Sequence, residues 1–188
     1  MVAFQKVVLV GGSWGGIQAS LRILEKLPAT YPFPIVLVLH RLRNAEGNLK
    51  RIFEKRLQLG VQEVEDKMPL QPGQVYLAPA NYHVLLEKDG TFSLDVSDLE
   101  NYSRPSIDVT FTSAADAYKA KLVGVLLSGA SKDGSAGLKY IHDKGGVALV
   151  QDPSEAEVST MPEAAMKLIP GCRVATLDKI QEFLLWIT

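Results

Sequence analysis

The sequence has little of what secreted, membrane-spanning and nucleic-acid-binding proteins depend on. Its 188 residues include one cysteine, Cys172, which excludes an internal disulfide and favours a reducing compartment, the cytoplasm. No apolar run approaches the roughly 20 residues of a transmembrane helix, and the N-terminal residues lack the layout of a signal peptide. The net charge is only −1, so no overall positive field is available to bind nucleic acid. We expect neither a membrane-spanning segment nor a nucleic-acid partner.

Short apolar runs alternate with helical patterns along most of the chain. Hydrophobic residues make up 47% of the sequence and charged residues 22%, as in ordinary globular proteins. Buried strands are predicted over 6–10, 34–39, 122–127 and 147–151, each followed by a helical segment. Strands that are apolar throughout indicate a parallel sheet covered on both faces. We therefore predict a single α/β domain over residues 1–188.

The middle of the chain departs from this alternation. Two short apolar segments, 84–87 and 92–96, flank Asp89-Gly90, a residue pair that favours a tight hairpin turn. The pattern predicts an antiparallel hairpin inserted into, or placed at the edge of, the parallel sheet.

Three predicted strands end in residue types that together could form a catalytic triad. Ser13 follows the first strand, His40 ends the second, and Asp133 lies in the loop after 122–127. Ligands of open parallel sheets bind beyond the carboxyl ends of the strands, so these side chains could meet there. A nucleophile, a general base and an orienting carboxylate would then be present. The segment 11–15 also matches the G-x-S-x-G nucleophile elbow, in which the following helix N-terminus stabilises developing negative charge.

Each of these residues has a structural alternative. Ser13 and Asp133 could each cap the helix that begins beside it, and His40 could simply bond a backbone carbonyl. His83 competes with His40 for the role of base. A dinucleotide site is a further alternative, but Ser13 replaces the central glycine of G-x-G-x-x-G, and His40 stands where an acidic residue is expected. The joint occurrence of serine, histidine and aspartate at three strand ends favours catalysis.

Two further observations limit the kinds of active site that the sequence predicts. The sequence has no Cys/His cluster typical of zinc sites, so no metal is expected. The order along the chain is serine, histidine, aspartate, whereas α/β-hydrolases have serine, aspartate, histidine. We therefore expect the triad on a different parallel sheet.

Several segments occur in an order that is known from one family. They are VLVGGSWGG (8–16), LH (39–40), VYLAPANYH (75–83), SRPSIDV (103–109), LLSGASKDG (126–134), QDP (151–153) and MP (161–162). As a set they resemble the catalytic domain of the chemotaxis protein-glutamate methylesterase CheB. The resemblance extends from about Lys6 to Trp186.

The resemblance implies a doubly wound, mostly parallel α/β sheet in a three-layer sandwich, with an antiparallel β-hairpin. It implies hydrolysis of glutamate methyl esters on methyl-accepting chemotaxis receptors, with deamidation of receptor glutamines in some members, and no cofactor. The family's nucleophile, base and carboxylate fall on Ser13, His40 and Asp133. We expect the backbone N–H groups near Trp14 and Ala130 to stabilise the oxyanion.

The chain also departs from the family pattern. The first strand begins within a few residues of Met1, which leads us to expect a stand-alone form without the usual N-terminal receiver domain. Trp14 stands where the family usually has a small residue. These departures leave open a catalytically weak binding or regulatory module with the same fold.

Basic residues near His40 are candidates for docking an acidic receptor helix. They are Arg41, Arg43, Lys50, Arg51 and, from a separate loop, Arg104. The alternative for the run near His40 is a solvated helix face. Arg104 could instead anchor its own loop to carbonyl or carboxylate groups.

Overall fold

The structure is a computed structural model that describes residues 5–40 and 49–187. Within these residues the strands are β1 (Val7–Gly12), β2 (Ile35–Leu39), β3 (Gly60–Glu63), β4 (Gln74–Leu77), β5 (His83–Leu86), β6 (Phe92–Asp95), β7 (Leu122–Leu126), β8 (Val147–Gln151) and β9 (Arg173–Ala175). The helices are α1 (Gly16–Leu24), α2 (Leu49–Arg56), α3 (Ile107–Tyr118), α4 (Ser135–Asp143), α5 (Thr160–Leu168) and α6 (Leu177–Trp186), with a 3-10 turn at Lys119–Lys121. None of the helices in these two ranges is both long and apolar enough to cross a bilayer.

Seven of these strands form one parallel sheet in the order β3-β4-β2-β1-β7-β8-β9. The central strands β1, β2 and β7 are buried along their whole length, as expected for parallel strands covered on both faces. Strands β5 and β6 pair antiparallel as a separate hairpin. The predicted α/β sheet and the antiparallel hairpin are confirmed, but the expected place of the hairpin is wrong, because it forms a two-stranded sheet of its own and does not extend the seven-stranded sheet.

Helices cover both faces of the sheet. On β1, Val8 and Val10 point into an apolar cluster that contains residues of α1, α2 and α6. The intervening Val7 and Leu9 point into a second cluster, to which α3, α4, α5 and the hairpin contribute. This alternation follows from the two-residue period of a strand, and it produces the three-layer arrangement.

The sheet reverses its direction of growth between β1 and β7. From β1 the chain adds β2, then the edge strand β3 and, between β2 and β3, strand β4, and it later returns to place β7 on the other side of β1. In open parallel sheets this reversal opens a crevice at the carboxyl ends of the two strands, where ligands bind. Ser13 follows β1 and the loop of Asp133 follows β7, so both lie at this position.

Helices α3 and α4 approach each other closely at Gly137. A Cβ atom placed on Gly137 would lie 2.7 Å from Cβ of Phe111 and 3.0 Å from Cα of Asp108. These distances are too short for ordinary packing, and backbone cannot move aside as a flexible side chain can. A side chain at position 137 would therefore push the two helix N-termini apart.

We expect Gly137→Ala to lower the free energy of unfolding by about 1–3 kcal/mol, as overpacking of a well-packed contact does. This loss is opposed by the higher helix propensity of alanine, which favours it over glycine in a helix interior by up to about 1 kcal/mol. Urea denaturation measures it. The matched control is Gly16→Ala at the start of α1, where the added Cβ has its nearest neighbours at 3.5 Å. A Gly137→Ala variant as stable as the wild type would contradict the close approach.

Candidate active site

Ser13 and His40 are the first residues beyond two adjacent parallel strands. Gly12 at the end of β1 pairs with Leu39 at the end of β2, and the His40 N–H donates to the Gly12 carbonyl at 3.1 Å. On its other side, the Ser13 N–H donates to the Ser128 carbonyl at 2.9 Å. Three strand ends are thus tied together by backbone hydrogen bonds, with Ser13 in the middle.

His40 is bonded to Asp133 through one ring nitrogen. The His40 Nε2 to Asp133 Oδ2 distance is 2.7 Å, the length of a strong, charge-assisted hydrogen bond. His40 is mostly buried and Asp133 is fully buried. Because an ionised carboxylate only accepts hydrogen bonds, Nε2 carries the proton and Nδ1 is left with a lone pair. The residues predicted as base and orienting carboxylate therefore meet, although 93 positions separate them.

The Asp133 carboxylate is held at the N-terminus of α3. It accepts hydrogen bonds from the backbone N–H groups of Ile107 at 2.7 Å and Asp108 at 3.1 Å, and from the Ser106 hydroxyl at 2.8 Å. The first N–H groups of a helix have no partner within the helix and favour an anion. Burial on its own would raise the pKa of Asp133, but the bonds from His40, Ile107 and Asp108 hold this pKa below its ordinary value. Asp133 is therefore ionised at neutral pH.

The N-termini of α3 and α4 are each bonded to a carboxylate that lies beside the start of the other helix. Asp133, which precedes α4, caps α3, whereas Asp108 in the first turn of α3 accepts the Gly137 N–H of α4 at 2.6 Å. Helix α4 is itself preceded by Gly134, with φ +89°, and receives no side-chain cap from its own N-terminal segment. Burial and the neighbouring charge of Asp133 raise the pKa of Asp108 to about 6, against an opposing bond from Gly137.

His83 is held away from the chemistry by backbone groups. Its Nδ1 accepts the Ser106 N–H at 3.1 Å, and its Nε2 lies 3.0 Å from the Asp98 carbonyl, to which it donates. Both ring nitrogens of this buried side chain are therefore used. These contacts assign His83 to fixing the loop before α3 and favour His40 as the base.

The Ser13 hydroxyl does not serve as a helix cap. The N-cap position of α1 is Gly15, with φ +78°, and it provides no side-chain cap. Within the described residues no hydrogen bond joins Ser13 to His40, and the Ser103 hydroxyl lies 3.4 Å from His40 Nδ1. Catalytic hydrogen bonds of unliganded enzymes are often long and shorten only when substrate binds.

The segments flanking Ser13 are fixed by a buried serine. The Ser128 hydroxyl donates to the Trp14 carbonyl at 2.7 Å and accepts the Val158 N–H at 2.9 Å. The Trp14 indole is exposed, and its Nε1–H donates to Glu157 at 2.6 Å. The turn after β1 and the loop after β7 are therefore attached to one another beside Ser13.

Comparison with known proteins agrees with this geometry. The family model described as CheB methylesterase matches residues 8–184. The chain belongs to the CheB methylesterase family. A solved structure of the Thermotoga maritima CheB methylesterase catalytic domain superimposes with a TM-score of 0.91 at 34% identity, over 97% of this chain and 98% of that one.

Proteins that are similar in sequence have names that refer to the same two activities. A Leptospira interrogans protein named as a protein-glutamate methylesterase/protein-glutamine glutaminase is 45% identical over 177 residues, which are 94% of this chain and 92% of the relative. Protein-glutamate methylesterase/protein-glutamine glutaminase 1 of Carboxydothermus hydrogenoformans is 37% identical over 95% of this chain. The chain spans 54% of the length of that second relative.

The structure describes only some of the basic residues predicted to dock a receptor. Arg41 and Arg43 lie outside the described residues of this CheB family member. The Arg104 guanidinium donates from Nη1 to the carbonyls of Val96 at 2.6 Å and Ser97 at 2.7 Å. These contacts favour the alternative in which Arg104 anchors its loop.

Sequence reasoning did not assign a role to the residues around the His40–Asp133 pair. Asn101, Ser103, Ser106 and Asp108 all contact one of these two side chains or its partners. Ser106 carried a local signal, since serine before an apolar helical segment is a favoured N-cap. The described part of the chain contains no group of three or more His, Cys, Asp or Glu side chains arranged to hold a metal ion.

The raised pKa of Asp108 predicts how the free energy of unfolding varies with pH. The folded protein binds a proton at Asp108 more readily than the unfolded chain between about pH 4 and pH 6, so this residue's contribution to the free energy of unfolding falls as the pH rises through that window. Asp108→Asn lacks this decline. Relative to the wild type, its free energy of unfolding is expected to increase from about pH 4 to pH 7.

Urea denaturation at a series of pH values measures the difference. Thr112→Ala, on the exposed face of the same helix α3, is the control; it removes no titratable group and should give a curve parallel to that of the wild type. A constant offset between Asp108→Asn and the wild type at every pH would contradict the raised pKa.

Proposed function

We propose that this protein hydrolyses the γ-methyl esters of glutamate side chains on methyl-accepting chemotaxis receptors, through Ser13, His40 and Asp133. The observation that carries the proposal is the 2.7 Å bond from His40 to a buried carboxylate beside the serine of a nucleophile elbow. Membership of the CheB methylesterase family supports the same reaction. The names of the relatives extend the proposal to deamidation of receptor glutamines, which also proceeds through attack on a side-chain carbonyl.

In the proposed first step, the Ser13 oxygen attacks the ester carbonyl while His40 accepts the hydroxyl proton at Nδ1. The Asp133 carboxylate keeps Nε2 protonated and stabilises the imidazolium that forms. His40 then delivers the proton to the departing methoxide, which leaves as methanol, and an acyl group remains on Ser13. Water, deprotonated by His40, attacks the acyl group and releases the glutamate carboxylate with regenerated Ser13.

The negative oxygen of each tetrahedral intermediate requires hydrogen-bond donors. We propose the backbone N–H groups of Trp14, at the turn before α1, and Ala130, in the loop after β7. Donors fixed before the reaction are effective because they do not reorganise as charge develops. The bonds of Ser128 to Trp14 and Val158 support a fixed position for both segments.

The remaining features of the proposal follow from this chemistry. Residues 1–188 act as one catalytic domain, since strands from both ends of the chain share the seven-stranded sheet. The three side chains supply nucleophile, base and orienting carboxylate without a metal or organic cofactor. The partner is the receptor, with Arg41 and Arg43 as candidate docking residues, and the single cysteine favours the cytoplasm.

We expect Ser13→Ala to release methanol from methylated receptor about 10⁶-fold more slowly than the wild type, as loss of a triad nucleophile does. The matched control is Ser103→Ala, since Ser103 also has its hydroxyl beside His40. A fluorophosphonate probe, mapped by mass spectrometry, should modify Ser13 in the wild type and in the Ser103 variant. Modification of Ser103, or wild-type methanol release no faster than that of Ser13→Ala, would contradict the proposal; the second result would indicate a binding module.

His40→Gln and His83→Gln separate the base from its competitor. We expect His40→Gln to lower turnover of a small ester by a factor of about 10⁴ or more, because the serine loses its proton acceptor. His83→Gln should retain turnover in the folded protein but lower the free energy of unfolding by about 1–3 kcal/mol, the cost of disturbing buried hydrogen bonds. A greater loss of turnover in His83→Gln than in His40→Gln would overturn the assignment.

A further inference from the structure

A two-residue turn lies against both His40 and Asp133. The backbone N–H and carbonyl groups of Glu100 and Ser103 exchange hydrogen bonds at 2.9 and 3.2 Å, and Asn101 and Tyr102 connect them. Both connecting residues have positive φ, 50° and 61°, which is characteristic of a type I′ turn. Asparagine tolerates this conformation, whereas a tyrosine there is strained. Strain of this kind persists where the surroundings require it, often at functional sites.

The Asn101 side chain connects two carboxylates. Its Nδ2 lies 3.0 Å from Asp108 Oδ2 and 3.4 Å from Asp133 Oδ1. Ionised carboxylates only accept hydrogen bonds, so the amide nitrogen, and not the amide oxygen, must face them. The adjacent Tyr102 side chain points outward and is 98% exposed. Only one of the two residues of the turn therefore contacts the site.

The two carboxylates need a donor between them. Asp133 must stay ionised to orient His40, while Asp108 is partly buried beside it and carries the raised pKa described above. Two neighbouring carboxyl groups without a donor tend to share a proton or to move apart. Either change would weaken the bond from Asp133 to His40.

We propose that Asn101 is a positioning residue of the active site, whose side-chain amide bridges Asp108 and Asp133 and keeps the Asp133 carboxylate turned toward His40. The inference rests on the proposed function only for its effect on turnover. The other charged and titratable groups around Asn101 are Glu100 in its own turn, Asp108 on α3, the His40–Asp133 pair, and Lys132 and Lys167, which line a cavity of about 470 Å³ that Asn101 also borders.

The test uses two substitutions that preserve the turn. Glycine and aspartate are both favoured at positive φ in type I′ turns, so Asn101→Gly removes the amide donor and Asn101→Asp replaces it with a third carboxylate. We expect Asn101→Gly to lower kcat for a small ester about 10–100-fold, the cost of a slightly misplaced catalytic group, with little change in KM. Asn101→Asp should be slower still. Because Asn101→Asp adds a negative charge beside the His40–Asp133 pair, which favours the protonated imidazole, the acid limb of its kcat/KM profile should lie at higher pH than that of Asn101→Gly.

The matched control is Tyr102→Gly. It places a glycine at the next position of the same turn and leaves the contacts with Asp108 and Asp133 in place, so kcat should stay within about twofold of the wild type. A loss in Tyr102→Gly as large as that in Asn101→Gly would show that the turn matters and the amide does not, and would overturn the proposal.

A second measurement does not depend on activity. The proton resonance of His40 Nε2–H reports its bond to Asp133 and should shift upfield and exchange faster in Asn101→Gly and Asn101→Asp than in Tyr102→Gly. If the wild type hydrolyses no ester, the proposed function fails, and this resonance still decides the role of Asn101. An unchanged resonance in both Asn101 variants, or unchanged kcat in both of an active enzyme, would overturn the inference.

Discussion

The interaction on which the site depends is the burial of the Asp133 carboxylate at the N-terminus of α3. A buried charge without partners costs several kcal/mol, and here the N–H groups of Ile107 and Asp108, the Ser106 hydroxyl and His40 supply those partners. The same bonds fix the loop after β7 relative to α3. The Asp108 carboxylate of α3 in turn accepts an N–H of α4, so these bonds stabilise the two helices together with the site.

The orientation of His40 follows from the sheet. In the serine protease triad, aspartate bonds Nδ1 and the serine faces Nε2, whereas here Asp133 bonds Nε2. The nitrogen left to act as base, Nδ1, is the one closer to the backbone. A base so near its own backbone must start from a residue next to the nucleophile, and the pairing of β1 with β2 provides this because Gly12 lies opposite Leu39. The same chemistry therefore uses the other edge of the imidazole.

The sheet, the hairpin and the meeting of His40 with Asp133 could be predicted because apolar strands of a parallel sheet end at one edge. The edge strands β3 and β9 could not, since they have three or four residues each and carry exposed side chains. The capping of α3 by Asp133 and of α4 by Asp108 could not be predicted either. The sequence favours Asp133 as the N-cap of α4, but Gly134 occupies that position. Asn101 contacts an aspartate 32 positions away, and no local pattern records such a contact. The predicted tight turn at Asp89-Gly90 is a loop of three residues, 88–90, whose last residue, Gly90, adopts φ +89°.

The most direct test of this account is the tautomer of His40. The ¹⁵N chemical shifts of its imidazole nitrogens, recorded above the pH at which imidazole titrates and assigned with His40→Gln, report which nitrogen carries the proton. We expect a protonated Nε2 bonded to Asp133 and an unprotonated Nδ1 available to accept the proton of Ser13. A proton on Nδ1 with an unprotonated Nε2 would contradict it, because Asp133 would then have no donor from His40 and the serine would have no base.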